Sequence, residues 1–332
     1  MTRFSRRALE APRLKTHCKA APRLSEGSMV NSAQSGRVQA ATLPSKPRRR
    51  DPWLTALLLI APFTLIYLIF LIYPTLRVIQ LSFTNSDLTG VGRWVGLQNY
   101  VQLFTEPQHT FWNALVNTLY FILLSVIPNT ALGLILALLV VRLKRARNLV
   151  LACFFLPFVL PVSVVTNIWN WLLDSNFGLI NALTHSTVAW FQDPLWAMPA
   201  VALVTVWWTV GFNILLFIAG LQGISPETYE AAALDGANSS QIFWRITWPG
   251  LWPITSLVLL LQLIAQFKIF DQIYLLTGGG PADRTLVVLL QNYREAFQLQ
   301  HGGYASAIGV MLLIIILIVS GLQVRFLNRE NA

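Results

Sequence analysis

The side chains best placed for chemistry in this sequence are neutral amides set inside long apolar runs. Gln262 and Gln266 stand four residues apart and so share one face of a helix. Asn167 and Asn170 stand three apart in another run, and Trp207, Trp208 and Asn213 lie in a third. An amide both donates and accepts hydrogen bonds, and an aromatic ring offers a flat apolar face. That combination suits a polyhydroxylated solute, with amides on the hydroxyls and rings on the C–H faces. The competing role is structural: hydrogen bonds between helices and aromatic belts at a membrane interface. We read Trp208, Asn213, Gln262 and Gln266 as candidates to line a solute path. Lys268 and Asp271, three apart, are expected to pair with each other.

Catalytic chemistry is harder to find. A phosphate-binding loop needs Gly-x-x-x-x-Gly-Lys-Ser/Thr, and no Lys in this chain follows a Gly. Gly278-Gly279-Gly280 runs into Pro281 and reads as a turn. His17, His109, His185 and His301 lack metal-ligand spacing. Cys18 and Cys153, one in a polar segment and one in an apolar run, exclude a disulfide framework. No Ser/His/Asp set or carboxylate pair stands out. We therefore expect no catalytic, cofactor-binding or metal-binding residue in the chain.

The elements that must position the amides are membrane-spanning helices. Hydrophobic residues make up 55% of the sequence and charged ones 11%, with mean hydropathy +0.57. A soluble domain carries about 25% charged residues. The apolar runs have helical rather than alternating pattern, which favours an all-α bundle over a β-barrel. At ~1.5 Å per residue, about 20 residues cross a ~30 Å core. Six spans follow, at about 52–73, 111–141, 149–173, 195–219, 251–276 and 304–326. Pro62, Pro128, Pro157 and Pro161 fall inside them, as do Asn117 and Asn129. Prolines are tolerated within a bundle.

Residues 1–51 are rich in Arg, Ser, Ala and Pro and are expected to be a disordered basic tail, facing anionic lipid. The first 50 residues hold twelve basic side chains and two acids, which accounts for the whole net charge of +10. That location argues against nucleic acid as a partner. No early apolar region precedes a small-residue cleavage site, so no cleavable signal peptide is expected. The tail, the 142–147 cluster and the C-terminus hold most of the Lys and Arg, and 174–194 holds none. Both termini, 142–147 and the segment between spans four and five are then cytoplasmic.

That segment, 221–250, reads as a helix, a glycine bend and a second helix. Ser225 can cap, Pro226 suits the first helical position, and Glu227 favours the positive end of the dipole. Asp235-Gly236 ends the first helix, and Asn238 or Ser239 can cap the next.

The same residues carry a resemblance. Glu230-Ala231-Ala232, then Gly236, Ile246 and Pro249 at their spacing, resemble the "EAA" loop of ABC-importer permeases. Trp248 stands where that family commonly has Leu, and Ala233 where relatives are often basic. Other blocks resemble the carbohydrate branch of these permeases, in particular the first subunit of maltose- and glycerol-3-phosphate-type importers. They are Leu81-Ser82-Phe83-Thr84, Val95-Gly96-Leu97-Gln98-Asn99-Tyr100, the run from Phe270 to Pro281, and Gly303-Tyr304-Ala305-Ser306-Ala307.

The resemblance covers 52–328 and implies a six-transmembrane-helix permease with a cytoplasmic coupling-helix elbow. It also implies a bacterial-type inner membrane, a second homologous permease, two ATPase subunits that bind ATP and Mg, and an extracytoplasmic solute-binding protein. Glu230, Ala231, Ala232, Asp235, Gly236, Ile246 and Pro249 would couple to the ATPase. The solute would be an oligosaccharide, monosaccharide, polyol or glycerol-3-phosphate. The alternative, an ion-coupled secondary transporter, predicts buried carboxylates and repeated halves with broken helices. No acid lies at the centre of any span, and no repeat is evident.

Overall fold

The computed structural model describes residues 52–329, except Leu88, Gly90, His109 and Lys144. The basic segment 1–51 lies outside the described residues. By contacts the chain divides after Leu58. Residues 52–58 are the opening turns of the first helix, and the description that follows concerns 59–329.

Fourteen α-helices are described. α1 (Pro52–Tyr67) passes through a π-turn into α2 (Tyr73–Leu81), and α3 (Gln98–Thr105) follows. Next come α4 (Thr110–Val141), α5 (Arg147–Val159), α6 (Val162–Leu172), α7 (Leu179–Thr184) and α8 (Ala197–Gln222). Two short helices, α9 (Pro226–Leu234) and α10 (Ser239–Ile242), lead through a π-turn at Phe243–Thr247 into α11 (Trp248–Phe267). α12 (Asp271–Leu276), α13 (Val288–Tyr293) and α14 (Gly302–Arg329) complete the chain. Among the described residues, extended pairing is confined to one bridge between Thr84 and Trp94.

Five helices are long and apolar enough to cross a membrane: Ala56–Leu81, Thr110–Val141, Ala197–Gln222, Ser239–Phe267 and Gly302–Arg325. A sixth crossing is made if α5 and α6, bent by 100° at their junction, count as one span. The sequence reading drew 149–173 as one span, and the structure breaks it. Pro161 disfavours helical backbone at the residue before it, and Leu160 is extended, with φ −69° and ψ 140°.

Two other bounds differ. The first span runs on to Leu81 instead of ending near 73: Pro74 comes just after the π-turn at Leu68–Ile72, within one continuous helix from Ala56 to Leu81. The fifth was read as 251–276, but α11 ends at Phe267, and Phe270 (φ −144°, ψ −60°) separates it from α12. Among the described residues no ion pair joins Lys268 to Asp271; the pairs found are Arg294 with Asp283 and His301 with Glu295.

α8 forms the centre. It is buried on most of its surface and packs against α4, α5 and α11. Lipid tails are as apolar as leucine, so such packing depends on close contact more than on removal from water. Gly211 makes the closest of these contacts possible. A Cβ there would lie 2.1 Å from the Phe154 carbonyl oxygen of α5, so no larger residue fits without separating the helices.

Candidate functional site

A cavity of about 200 Å³ lies among α4, α5, α8 and α11. Its polar lining comes from Asn129, Thr209, Asn213, Gln262 and Gln266, and its aromatic lining from Phe158 and Phe212. The two rings stack at 5.1 Å, with planes 17° apart. Gln262 and Gln266, one helical turn apart on α11, meet Asn213 of α8 there. The three amides are all buried, at 7%, 5% and 3% exposure.

Only part of the hydrogen-bonding capacity of this lining is met. Asn129 Nδ2 donates to Thr209 Oγ1 at 2.7 Å, and Thr209 Oγ1 donates to the Thr205 carbonyl at 2.7 Å. Gln262 Nε2 donates to Thr130 Oγ1 at 3.0 Å. Asn129 Oδ1, Asn213 Nδ2 and Gln262 Oε1 are buried without a partner. Each such atom costs roughly 1–3 kcal/mol. These atoms are enclosed in the helix packing, and the surface that the cavity itself presents is mostly apolar, beside the stacked rings.

Trp208, the fourth candidate, is not among the residues lining this cavity. It packs against the adjoining hydrophobic cluster, and its Nε1 is buried without a partner. Five residues separate it from Asn213, which places the two about 140° apart around α8. Asn167 is bonded within α6, to the Ser163 carbonyl. Sequence reasoning missed Thr209, Phe158 and Phe212. A threonine that bonds its own helix and a phenylalanine in a span carry no signal of their own.

The elbow is a separate site. Pro226 opens α9 and Glu227 sits in its first turn. Ser225 occupies the N-cap, but its hydroxyl bonds Glu227 Oε2 at 3.3 Å rather than the backbone. At the other end Gly236 has φ +77°, the left-handed region that favours glycine. The Gly236 N–H donates to the Ala233 carbonyl and the Ala237 N–H to the Ala232 carbonyl, which satisfies the last turn of α9. Asn238 then caps α10 reciprocally: Gln241 N–H donates to Asn238 Oδ1, and Asn238 N–H to Gln241 Oε1. The hydroxyls of Tyr229 and Thr247, 3.2 Å apart, tie α9 to the start of the next span.

Of the coupling candidates, Glu230, Ala231, Asp235, Gly236 and Pro249 are exposed, and Ala232 and Ile246 are half-buried. No residue of α9 is buried, and Leu234 is 89% exposed.

Membrane-length helices around a cavity with amides in its wall, and a folded elbow between two of them, fit a helical membrane transport subunit. Residues 129–331 match the family described as "Binding-protein-dependent transport system inner membrane component", and the chain belongs to that family. It is 35% identical over 272 residues to a probable ABC transporter permease protein, YurN, of Bacillus subtilis, covering 79% of this chain and 92% of that one. It is 33% identical to the trehalose/maltose transport system permease protein MalF of Thermococcus litoralis, covering 83% and 94%. The sulfoquinovosyl glycerol transport system permease protein SmoG of Agrobacterium fabrum is 30% identical, covering 89% and 98%. Among solved structures, a chain of a bacterial ABC transporter that imports the acidic polysaccharide alginate superposes with TM-score 0.73 at 25% identity, covering 83% of this chain and 96% of that one. The resemblance read from the sequence therefore stands, as does the all-α permease fold, and the ion-coupled alternative is set aside.

Proposed function

We propose that this chain is the permease subunit of an ATP-driven importer and forms half of the translocation path for a sugar or sugar-like solute. The observation that carries the solute class is the convergence of four amides, Asn129, Asn213, Gln262 and Gln266, on one cavity beside the stacked rings of Phe158 and Phe212. Amides suit hydroxyl groups, and the relatives named for trehalose/maltose and sulfoquinovosyl glycerol support that class. Asn213, Gln262 and Gln266 are the path residues of this reading, and Trp208, packed in the adjoining cluster, is not among them.

The chain itself performs no hydrolysis. A separate pair of ATPase subunits binds ATP and Mg, a second homologous permease completes the path, and an extracytoplasmic binding protein delivers the solute. Both termini, 142–147 and the elbow face the cytoplasm. Closure of the ATPase dimer moves α9 as a rigid body, and the tie between Tyr229 and Thr247 passes that motion to α11. Glu230 anchors α9 to the ATPase, and Gly236 keeps the bend.

Co-purification with the ATPase and second permease from the same source tests the assembly. Wild type should hold the ATPase, and Glu230→Ala should lose it. A chain that holds no ATPase, yet moves solute alone under an ion gradient, would overturn the reading.

A further inference from the structure

A second cavity, of about 390 Å³ and lined by polar residues, lies apart from the one described. It forms where segment 82–87, α3 and the start of α14 meet. Gln323 Nε2 donates to the Ser256 carbonyl, which sets the late part of α14 beside the early part of α11. The start of α14, and the cavity with it, is then at the end of the bundle opposite the elbow.

Its walls are fixed by backbone contacts. Asn99 Nδ2 donates to the carbonyls of Ser82 and Thr84, each at 2.8 Å. The Gly303 N–H donates to the Ser86 carbonyl at 2.8 Å. A Cβ on Gly303 would lie 1.9 Å from the Thr84 carbonyl oxygen, so the approach requires glycine. Tyr304 donates its hydroxyl to Glu106 at 3.2 Å and closes α14 onto the end of α3.

Within these walls several lining groups remain open to a ligand. The Gln102 and Gln300 amides make no hydrogen bond among the described residues. Gln300 has φ +59°, a left-handed backbone rarely adopted away from glycine and often found at functional sites. Ser86 is buried and is not one of these open groups: Thr84 Oγ1 gives its hydrogen to the Leu81 carbonyl, so the Ser86 hydroxyl is spent on Thr84 Oγ1, 3.0 Å away. His301 meets Glu295 through Nδ1, which leaves Nε2. Asp87 also lines the cavity, and no Lys or Arg does. Groups that donate and accept, with the His301 ring already held by Glu295 and no Lys or Arg, suit vicinal hydroxyls and disfavour phosphate or carboxylate. The volume falls within the ~300–1,000 Å³ of ordinary ligand pockets.

We propose that this cavity is a second saccharide site, selective for a neutral polyhydroxylated solute and separate from the cavity between α4, α8 and α11. It rests on the sugar reading above. Gln102 and Gln300 are its specificity-determining residues.

Hydrogen–deuterium exchange on the full chain in detergent, with maltose, trehalose and glycerol as probes, tests it. The expected result is saturable protection of peptides 82–102 and 298–306 by at least one probe. Replacing Gln102 and Gln300 together by Leu should raise the half-protection concentration at those peptides about tenfold or more, the loss of two neutral hydrogen bonds. Both side chains are exposed, so the variant should fold, and unchanged exchange elsewhere checks that it does. Protection confined to 205–214 and 258–267 would overturn the second site and leave the sugar reading standing. Protection at neither place would overturn both. Equal slowing at every peptide, the mark of an excluded osmolyte, would also overturn the site.

Discussion

The elbow and the cavity between α4, α8 and α11 are unfinished in opposite ways. In the elbow the polar groups at the α9–α10 bend are met locally: Gly236 and Ala237 close the end of α9, and Asn238 and Gln241 cap each other. Its apolar side chains are what lack cover, Leu234 at 89% exposure and Trp244 at 62%. In the cavity the apolar walls pack well, and the polar atoms of Asn129, Asn213 and Gln262 lack partners. A surface short of apolar contact fits another protein. A pocket with amides in its wall fits a polar solute. Each region thus displays the chemistry of what is missing from it.

Substitutions can break this contrast, and the largest effect is expected at Gly236. Gly236→Val forces a β-branched residue into the left-handed region, at a cost of about 1–3 kcal/mol. Transport should be lost while ATPase activity persists, because the bend and not the fold is removed. Normal transport by this variant in proteoliposomes would sink the elbow mechanism. Leu234→Asp comes next. Burial of a Leu contributes about 1.5–3 kcal/mol, so affinity for the ATPase should fall roughly 10- to 100-fold. The chain's own melting temperature should not move, since the side chain touches little. A drop in melting temperature would mean that Leu234 serves the chain itself.

Gln262→Met sharpens the other half of the comparison. It removes one bond to Thr130 and one unpartnered oxygen, so stability should change by no more than about 1 kcal/mol. Solute KM should rise with ATPase coupling intact. Unchanged KM together with a large loss of stability would make Gln262 a structural bridge. The smallest effect is expected from Asn238→Ala, about 1 kcal/mol of local helix stability. It should appear as faster exchange of the 239–242 amides, with transport nearly unchanged.

The elbow was legible almost residue by residue, because its causes are local. Pro226, Gly236 and Asn238 decide the backbone within a few positions of themselves. Only the Ser225 cap differs, and there a neighbouring carboxylate competes for the hydroxyl. The cavity was half legible. Buried amides stand out in apolar runs, so Asn213, Gln262 and Gln266 could be named and their convergence anticipated. Which aromatic ring joins them could not be read, because Phe158 reaches α8 through a crossing that Gly211 permits. The end of α11 was also hidden. The apolar run continues past Phe267, and hydropathy does not register one backbone dihedral at Phe270.

The break between α5 and α6 bears on how the protein is made. α5 has 13 residues and α6 has 11, so at 1.5 Å per residue the arms reach only about 20 Å and 17 Å. Neither crosses a hydrocarbon core of ~30 Å, and the extended backbone at Leu160 and Pro161 has no place facing lipid. During synthesis this hairpin must wait for α8, whose Gly211 receives α5 at the Phe154 carbonyl. A ribosome stalled before Ala197 would leave the segment without its seat. If α5 and α6 make one crossing, its seat is therefore supplied by the helix that follows it in the chain.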